Sequence, residues 1–292
     1  MNARTPVACD DQLKDPLALL EGRFAESSVE VDGGVVSFRS CGSGPAVVLL
    51  HGISSGAASW LQCALKLEKD ARVIAWNAPG YGCSTPLPMA RPKASDYAAR
   101  LQQMLRALGL SDCMLVGHSL GALMAAASLA GGDHDRRVRW TLLASPAQGY
   151  GAPDKRERAR QVEIERLDAL RTLGVAGMAT HRSGRLLSEH ADEADRAWVR
   201  WNMQWLDPAG YTQAVHLLCD DDIGAYLGAA PLAGVSVACG TLDVVTTPEA
   251  SAALADRFAL PYRSVESAGH ACYIEQPAAF AAMIRTQFTT SN

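Results

Sequence analysis

The sequence predicts an α/β fold, in which a mostly parallel sheet carries helices on both faces. Residues 46–50 form a fully apolar run, typical of a strand that is covered on both sides. Similar strand-like runs alternate with helical segments at the spacing of βαβ units, at residues 72–76, 113–116 and 138–144. The chain has 292 residues, 48% of them apolar, which is enough for one large domain with a sizeable core.

Charge and hydropathy exclude several classes of protein. The net charge is −4 and no block of Lys or Arg occurs, which argues against nucleic acid and against an anionic membrane as partners. No apolar run reaches the length of a membrane span, and residues 1–15 lack the apolar segment of a secretory signal. We therefore expect a small-molecule substrate as partner, with a homodimer left open.

The cysteines and histidines predict neither disulfides nor a metal site. The eight cysteines are scattered without a C-x-x-C pair, and several lie inside apolar runs. They are typical of small buried side chains in a reducing compartment, so we expect a cytoplasmic protein. The seven histidines show no H-E-x-x-H pattern and no Cys/His metal spacing. We expect no metal and no other cofactor.

Residues 1–149 are predicted to form the first part of a core domain. They begin with a helical extension over residues 1–26, where apolar residues recur at helical spacing. A hairpin over residues 29–39 and a helix over residues 57–68 follow. Ser95 is expected to cap the next helix, which precedes the run at 113–116.

The pattern changes after residue 149. Strand signals fade over residues 150–230, which predicts a helical insertion. Its helices are expected at residues 154–173, 192–206 and 208–219. The core domain then resumes over residues 231–292. Strands are expected there at residues 235–239 and 262–265, and helices at residues 248–258 and 277–288.

Residues 113–130 contain the feature that carries the functional argument. A strand-like run ends at Gly117, Ser119 follows at the turn, and Gly121 opens an Ala-rich helical run, which fits the nucleophile elbow G-x-S-x-G. So sharp a turn strains the backbone of the serine. It also leaves no room for side chains two positions before and after it, which explains why Gly117 and Gly121 are both glycine. The hydroxyl then projects beside a helix N-terminus, which favours negative charge. The alternative is a βα unit with an incidental serine.

A serine nucleophile needs a base, and the base needs an orienting group. Elbow enzymes supply them in the chain order Ser, Asp or Glu, His. Asp243 follows the predicted strand at 235–239, and His270 follows the last strand, so the order is present. Taken alone, Asp243 would equally suit a turn or a helix cap, and His270 a loop. In the functional interpretation, Asp243 holds one ring nitrogen of His270 and the other takes the proton of Ser119.

Attack on a carbonyl creates an oxyanion, which needs two N–H donors. One donor is expected to be the backbone N–H of Leu120, directly after the nucleophile. The other should come from the loop after the strand at 46–50, and we assign it to Ile53, with Ser54 as the alternative. The preceding His51-Gly52 pair would shape a tight turn in either case.

Together these motifs resemble the α/β-hydrolase fold superfamily. The matching segments are residues 51–52, 77–84, 117–121, 240–243 and 269–270. The resemblance implies an eight-stranded sheet and a helical cap over the site, at residues 150–230, but it does not specify the substrate. One departure is Asn77, where relatives often carry Asp, and it affects only the hydrogen bonding of its loop.

Three functions remain open. Serine at the elbow excludes relatives with aspartate there, such as haloalkane dehalogenases and epoxide hydrolases, so ester hydrolysis through an acyl-enzyme on Ser119 is the first expectation. The sequence is also similar to hydrolases that cleave carbon–carbon bonds in ring-fission products of aromatic degradation. Those commonly carry Trp after the catalytic histidine, where this chain has Ala271. The third possibility is a ligand-binding protein of the same fold with low turnover.

Substrate contacts are expected from the insertion. Trp201 and Trp205 share a helix face with Trp198, and we consider them as pocket residues, although such a face equally suits a core. In the carbon–carbon hydrolases that the chain resembles, an Arg of the cap helps to bind the acid group of the substrate. Arg182 or Arg185 would have that role here.

Overall fold

The computed structural model describes residues 11–131 and 137–289. Within them, eight strands form one sheet: β1 Glu26–Val31, β2 Gly34–Cys41, β3 Ala46–Leu50, β4 Arg72–Trp76, β5 Asp112–His118, β6 Arg137–Ala144, β7 Val235–Gly240 and β8 Tyr262–Val265. The strand order is β1-β2-β4-β3-β5-β6-β7-β8. β2 pairs antiparallel with both of its neighbours, β1 and β4, and every other pair in the sheet is parallel. The predicted α/β fold with a mostly parallel eight-stranded sheet is confirmed.

Helices precede, connect and follow these strands. They are α1 Lys14–Arg23, α2 Leu61–Leu67, α3 Ala94–Ala107, α4 Leu120–Gly131, α5 Arg156–Arg182, α6 Glu193–Gln204, α7 Pro208–Asp220, α8 Ile223–Ala229, α9 Pro248–Arg257, α10 Cys272–Glu275 and α11 Pro277–Thr289. Short 3-10 turns cover Asp11–Leu13, Ala57–Trp60, Pro153–Lys155 and Ser183–Leu186. We call α5 to α8, which follow one another between β6 and β7, the inserted helices.

The sheet is covered on both faces, as β3 shows. All five residues of β3 are buried. Val48 and Leu50 pack into one apolar cluster with Leu123 of α4, whereas Val47 and Leu49 belong to a second cluster on the opposite face. Successive side chains of a strand point to opposite faces, so a continuous apolar run is what a doubly covered strand requires.

The register places the ends of the central strands at one edge of the sheet. Leu50 at the end of β3 lies opposite Gly117, and His118 at the end of β5 lies opposite Ala144 of β6. The loops that follow these strands therefore meet at this edge, where ligands bind in parallel sheets.

One local prediction was wrong. Ser95 does not cap α3: the N-cap is Lys93, whose backbone N–H donates a 2.7 Å hydrogen bond to the carboxylate of Asp96. The predicted helix end at residue 173 is confirmed, because Gly174 has a non-helical backbone with φ 63° and ψ −179°. This left-handed φ favours glycine, and it separates the predicted helix from a second helical segment of α5, not predicted, that ends at Arg182. The short helices α8 and α10 were not predicted.

The remaining sequence expectations concern membranes and cysteines. No helix among the described residues is both long and apolar enough to cross a bilayer. The seven described cysteines are free, and Cys83 alone among them is exposed. Cys9 and the start of the predicted N-terminal extension lie outside the described residues.

Candidate active site

Ser119 lies at the sharp turn between β5 and α4, and its backbone has a φ of 52°. Its backbone N–H donates to the carbonyl of Ala144 at 2.9 Å, which ties the turn to the next strand. A Cβ atom at Gly117 would lie 2.4 Å from the carbonyl oxygen of Gly121, and one at Gly121 would lie 2.4 Å from that of Leu50. Both positions therefore need glycine, because any side chain would collide with backbone atoms.

His270 and Asp243 form a buried pair next to this turn. The Nδ1 of His270 lies 2.9 Å from Oδ2 of Asp243. Oδ1 of Asp243 accepts hydrogen bonds from the backbone N–H groups of Val245 at 2.7 Å and Thr246 at 3.0 Å. Burial alone would raise the pKa of Asp243, but the hydrogen bond and charge of His270 and these two N–H donors hold it below its ordinary value. Asp243 is therefore an anion that orients His270 and fixes which nitrogen carries the proton.

Thr246 is a further member of this group that the sequence did not reveal. Its hydroxyl lies 2.9 Å from Oδ2 of Asp243, 2.9 Å from the carbonyl of Ser145 and 3.1 Å from Nδ1 of His270. The hydroxyl has one proton, which it donates either to Oδ2 of Asp243 or to the carbonyl of Ser145. In both cases the threonine fills the space around the carboxylate. The only sequence signal was its place three residues after Asp243.

Ser119 and His270 line one cavity. Because Nδ1 of His270 faces Asp243, Nε2 is on the other side of the ring and is available as a base. The Ser119 hydroxyl has no hydrogen-bond partner among the described residues. Contacts between nucleophile and base commonly tighten only when substrate binds. The predicted set Ser119, Asp243 and His270 is thus brought together at one edge of the sheet.

The two predicted oxyanion donors also lie at this edge. Leu120 is the first residue of α4, and within the described chain neither its N–H nor that of Ile53 has a protein acceptor. The Gly52 carbonyl, which shares a peptide with the Ile53 N–H, lies 2.8 Å from Nδ1 of His51. Tyr81 donates from its hydroxyl to the Ile53 carbonyl at 2.9 Å. The loop is therefore held by side chains that leave the Ile53 N–H free.

His118, directly before the nucleophile, supports the base. Its Nε2 lies 2.8 Å from the backbone oxygen of His270, and the two rings are 4.7 Å apart. Burial first, and the neighbouring His270 second, lower the pKa of His118 to about 3, so the ring is neutral at pH 7. A neutral ring that donates from Nε2 anchors the loop carrying His270. The sequence assigned His118 no role.

Two cavities meet at Ser119. The His270 cavity, of about 60 Å³, is lined by His270, Ser55, Tyr273 and neighbours. The Lys155 cavity, of about 310 Å³, is lined by Lys155, Leu120, Thr246 and neighbours. Both include Ser119, Ile53, Val245 and, from the inserted helices, Arg166.

The predicted substrate contacts from the insertion lie elsewhere. Trp201 and Trp205 line a separate groove of about 810 Å³, the tryptophan groove, between α1, the loop after β4 and α6. Trp205 is 47% exposed, while Trp201 stacks on the buried Trp198 at 4.9 Å. The groove touches the His270 cavity only through Ser55 and Asn202, which line both. The helix face that carries the tryptophans is therefore turned away from Ser119.

Arg182, the predicted contact for the acid group of the substrate, lines neither cavity at Ser119. It lies at the C-terminal end of α5, beyond the kink at Gly174. Arg166 of the same helix occupies the site instead. The sequence did not distinguish them because the local pattern does not show which arginines of the insertion face the edge of the sheet.

The hydrogen bonds of Asn77 explain why this position carries an amide and not a carboxylate. Its side-chain oxygen accepts from the Ala57 N–H at 2.9 Å, and its amide nitrogen donates to Glu26 at 3.0 Å and to the Ser37 hydroxyl at 2.9 Å. A carboxylate at this position would face Glu26 and could not donate. The amide is therefore matched to a glutamate neighbour.

Comparison with known proteins agrees with this architecture. The sequence profile described as the alpha/beta hydrolase family matches residues 47–283. A thermophilic esterase from Thermogutta terrifontis superposes with a TM-score of 0.77 at 23% identity, covering 91% of this chain and 98% of that one. The enol-lactonase from Burkholderia xenovorans gives 0.77 and 23%, covering 90% and 100%. At this identity the structures show a shared fold.

Curated relatives align over shorter stretches. The 2-(acetamidomethylene)succinate hydrolase of Mesorhizobium japonicum is 33% identical over 99 residues, which are 34% of this chain and 35% of that protein. The (E)-2-((N-methylformamido)methylene)succinate hydrolase of Acinetobacter baylyi is 25% identical over 185 residues, which are 62% and 66%. The chain thus covers less than two thirds of the length of these relatives.

Proposed function

Because the chain belongs to the alpha/beta hydrolase family, we propose that it is a serine hydrolase that cleaves a carboxylic ester through an acyl-enzyme on Ser119. The observation that carries this proposal is the hydrogen bond of 2.9 Å between His270 and Asp243, beside a cavity that Ser119 also lines. A nucleophile, a base and an orienting anion are the parts that this chemistry needs.

In the first half of the reaction, Oγ of Ser119 attacks the ester carbonyl carbon while Nε2 of His270 accepts the hydroxyl proton. The carbonyl oxygen becomes an oxyanion, and the N–H groups of Leu120 and Ile53 donate to it. The carbon–oxygen bond to the alcohol then breaks, and the protonated His270 returns its proton to the departing oxygen. The products of this half are the free alcohol and an ester on Ser119.

In the second half, water takes the place of the alcohol. His270 accepts a proton from the water as its oxygen attacks the acyl carbon, and the same two N–H groups stabilise the second oxyanion. The bond to Oγ breaks, the proton passes from His270 to Ser119, and a carboxylic acid leaves. Ester and water are converted into acid and alcohol, and the enzyme is restored.

The surroundings support hydrolysis. Two relatives are named as hydrolases of substituted succinates and one structural neighbour as an esterase. We also propose that the inserted helices act as a cap, because Arg166 of α5 lines both cavities at Ser119. The cytoplasmic location and the homodimer stay predictions.

The test is turnover of short-chain esters by the wild type, by Ser119→Ala and by Ser43→Ala. Ser43 is exposed between β2 and β3 and lines neither cavity at Ser119, so it is the matched control. We expect Ser119→Ala to lose several orders of magnitude in kcat, because removal of a triad nucleophile has effects on this scale. Ser43→Ala should stay within about threefold, since an exposed hydroxyl away from both cavities contributes little.

The alternative functions give different results. A serine-directed phosphonate should add its mass to the peptide that contains Ser119 and to no other. A carbon–carbon hydrolase would turn over dienoic ring-fission products and leave the esters intact. A low-turnover binding protein would be labelled without steady-state hydrolysis of either substrate. Near-normal activity in Ser119→Ala would remove the mechanism altogether.

A further inference from the structure

Resting on the proposed function, we infer that the substrate carries a carboxylate on its acyl part, bound by Arg166 and Lys155 in the Lys155 cavity, and that its leaving group is small. The substrate class is therefore a half-ester of a dicarboxylic acid with a small alcohol. The inference follows from which charges line the cavities, how Arg166 is held, and which cavity contains His270.

Arg166 is directed into the site by a fixed contact. Its Nη1 donates to the hydroxyl of Tyr211 at 3.2 Å, and Tyr211 on α7 is only 2% exposed. One guanidinium nitrogen is thus anchored between two inserted helices. The remaining N–H donors are available to the two cavities, both of which Arg166 lines.

Three of the other five arginines of α5 differ from Arg166 in their partners. Arg158, Arg160 and Arg171 each pair with a carboxylate of the same helix. Arg166 has no carboxylate partner among the described residues. A half-buried guanidinium with a neutral partner is a binding site for an anion, because a planar donor fork matches a carboxylate.

The cavity linings contain no negative charge to neutralise it. The charged side chains that line the Lys155 cavity are Lys155 and Arg166, and no Asp or Glu lines either this cavity or the His270 cavity. Arg182 lies near enough that the positive charge of Arg166, after burial, lowers its pKa. Positive charge therefore accumulates above Ser119, and an anionic ligand would relieve it.

The position of His270 indicates which part of the substrate each cavity would hold. The leaving alcohol must take its proton from His270, which lines the smaller cavity of about 60 Å³. Leu120, one proposed oxyanion donor, lines the larger cavity of about 310 Å³ together with Lys155, whereas Ile53, the other proposed donor, lines both cavities. The acyl part therefore extends into the larger cavity toward both cations, and the leaving group occupies the smaller one.

The experiment compares two esters of similar shape and different charge. Monomethyl succinate carries the acid on its acyl part, and methyl 4-methylpentanoate replaces that carboxylate with an isopropyl group. Product acid is followed by pH-stat for the wild type, Arg166→Gln and the control Arg160→Gln, whose position on α5 is exposed. We expect Arg166→Gln to lower kcat/KM for monomethyl succinate about 10- to 100-fold, because charge-assisted hydrogen bonds are lost. The neutral ester should change less than about threefold in either variant.

Further arms make each outcome decisive. Lys155→Gln should reduce the preference for the anionic ester in the same direction, and carboxymethyl acetate, with the acid on its alcohol part, should be a poor substrate. Equal loss on both methyl esters in Arg166→Gln would show a structural role and overturn the inference, as would a preference for carboxymethyl acetate.

If the wild type hydrolyses the anionic ester no better than the neutral one, the subsite is wrong while the proposed function stands. If neither ester is hydrolysed, the proposed function fails. The subsite alone is then tested by calorimetry of glutarate binding to Ser119→Ala. We expect this binding to be abolished in the Ser119→Ala/Arg166→Gln double variant.

Discussion

Nδ1 of His51 lies 2.8 Å from the backbone oxygen of Gly52, within the peptide that carries the N–H of Ile53. Nε2 of His51 accepts from the Ala78 N–H at 3.0 Å, so Nδ1 is the nitrogen that carries the proton. Burial lowers the pKa of His51 to about 4, although the Gly52 contact opposes this shift, and the ring is neutral at pH 7. A side chain therefore fixes the orientation of a proposed oxyanion donor.

Replacing His51 should affect the transition state more than substrate binding. We expect His51→Ala to lower kcat about 10- to 100-fold with KM within about threefold, because a misaligned oxyanion donor costs a few kcal/mol only when charge develops. His51→Asn keeps an N–H donor near the Nδ1 position and should recover part of the loss. Steady-state kinetics on one ester gives both constants. A rise in KM with unchanged kcat would contradict this role.

Thr246 is expected to support the carboxylate of Asp243. Thr246→Val removes a hydroxyl that lies 2.9 Å from Oδ2 and should lower kcat about tenfold, roughly the value of one hydrogen bond to a charged group. Thr246→Ser keeps the hydroxyl and should stay near the wild type. Equal activity of the valine and serine variants would show that the hydroxyl only fills space.

Two buried histidines should each lower the stability as the pH falls, because both rings are neutral in the folded protein. Their ordinary pKa is 6.5, and burial lowers it to about 3 for His118 and about 4 for His51. Below pH 6.5 the unfolded chain therefore binds protons at these two positions that the folded chain does not. Their contribution to the free energy of unfolding is largest above pH 6.5 and decreases by up to about 1.4 kcal/mol per pH unit for each ring.

Urea unfolding between pH 7.5 and pH 4.5 measures this slope. Asp243 contributes little there, because the unfolded carboxyl, with an ordinary pKa of 3.8, binds few protons above pH 4.5. His118→Asn should flatten the slope, whereas the control His190→Asn, at an exposed position, should leave it unchanged. A slope that His118→Asn does not alter would mean that this ring is not held neutral.

Asn77→Asp should destabilise the fold by about 2 kcal/mol, because a buried donor is lost and the new carboxylate faces Glu26. The Asn77–Glu26 contact is 3.0 Å long. Adding Glu26→Gln should restore more than half of the loss, since the new amide can donate to the aspartate. Urea unfolding of the two single variants and the double variant gives the coupling energy. Additive effects would exclude a direct contact.

Much of the fold could be predicted because its signals are local. The strands β3, β4 and β8 were predicted to the residue. For β3 and β4 the signal was an apolar run between turn residues, which defines a covered strand. The cap of α3 was not, because Lys93 is no cap residue by type and Asp96 supplies the hydrogen bond from inside the helix. The position of a helix start depends on which nearby side chain accepts hydrogen bonds from the free N–H groups of the first turn.

The residues of the candidate site were likewise predicted only where their signals are local. Ser119, Asp243 and His270 were assigned from their motifs and chain order, since the elbow and the strand ends are local features. Thr246, His118 and Arg166 were not assigned. Each acts through a contact whose partners include a residue distant in the chain, such as the His270 carbonyl for His118 and the Tyr211 hydroxyl for Arg166.

The sequence by itself determined the kind of sheet, the turn that presents Ser119 and the order of the groups that follow it, because backbone sterics and apolar patterning act over a few residues. The tertiary structure alone decided which inserted side chains face that turn. It turned Trp201 and Trp205 toward another groove and placed Arg166 rather than Arg182 above the nucleophile. That choice depends on how a long helix with a kink packs against the sheet, and no short stretch of residues encodes it.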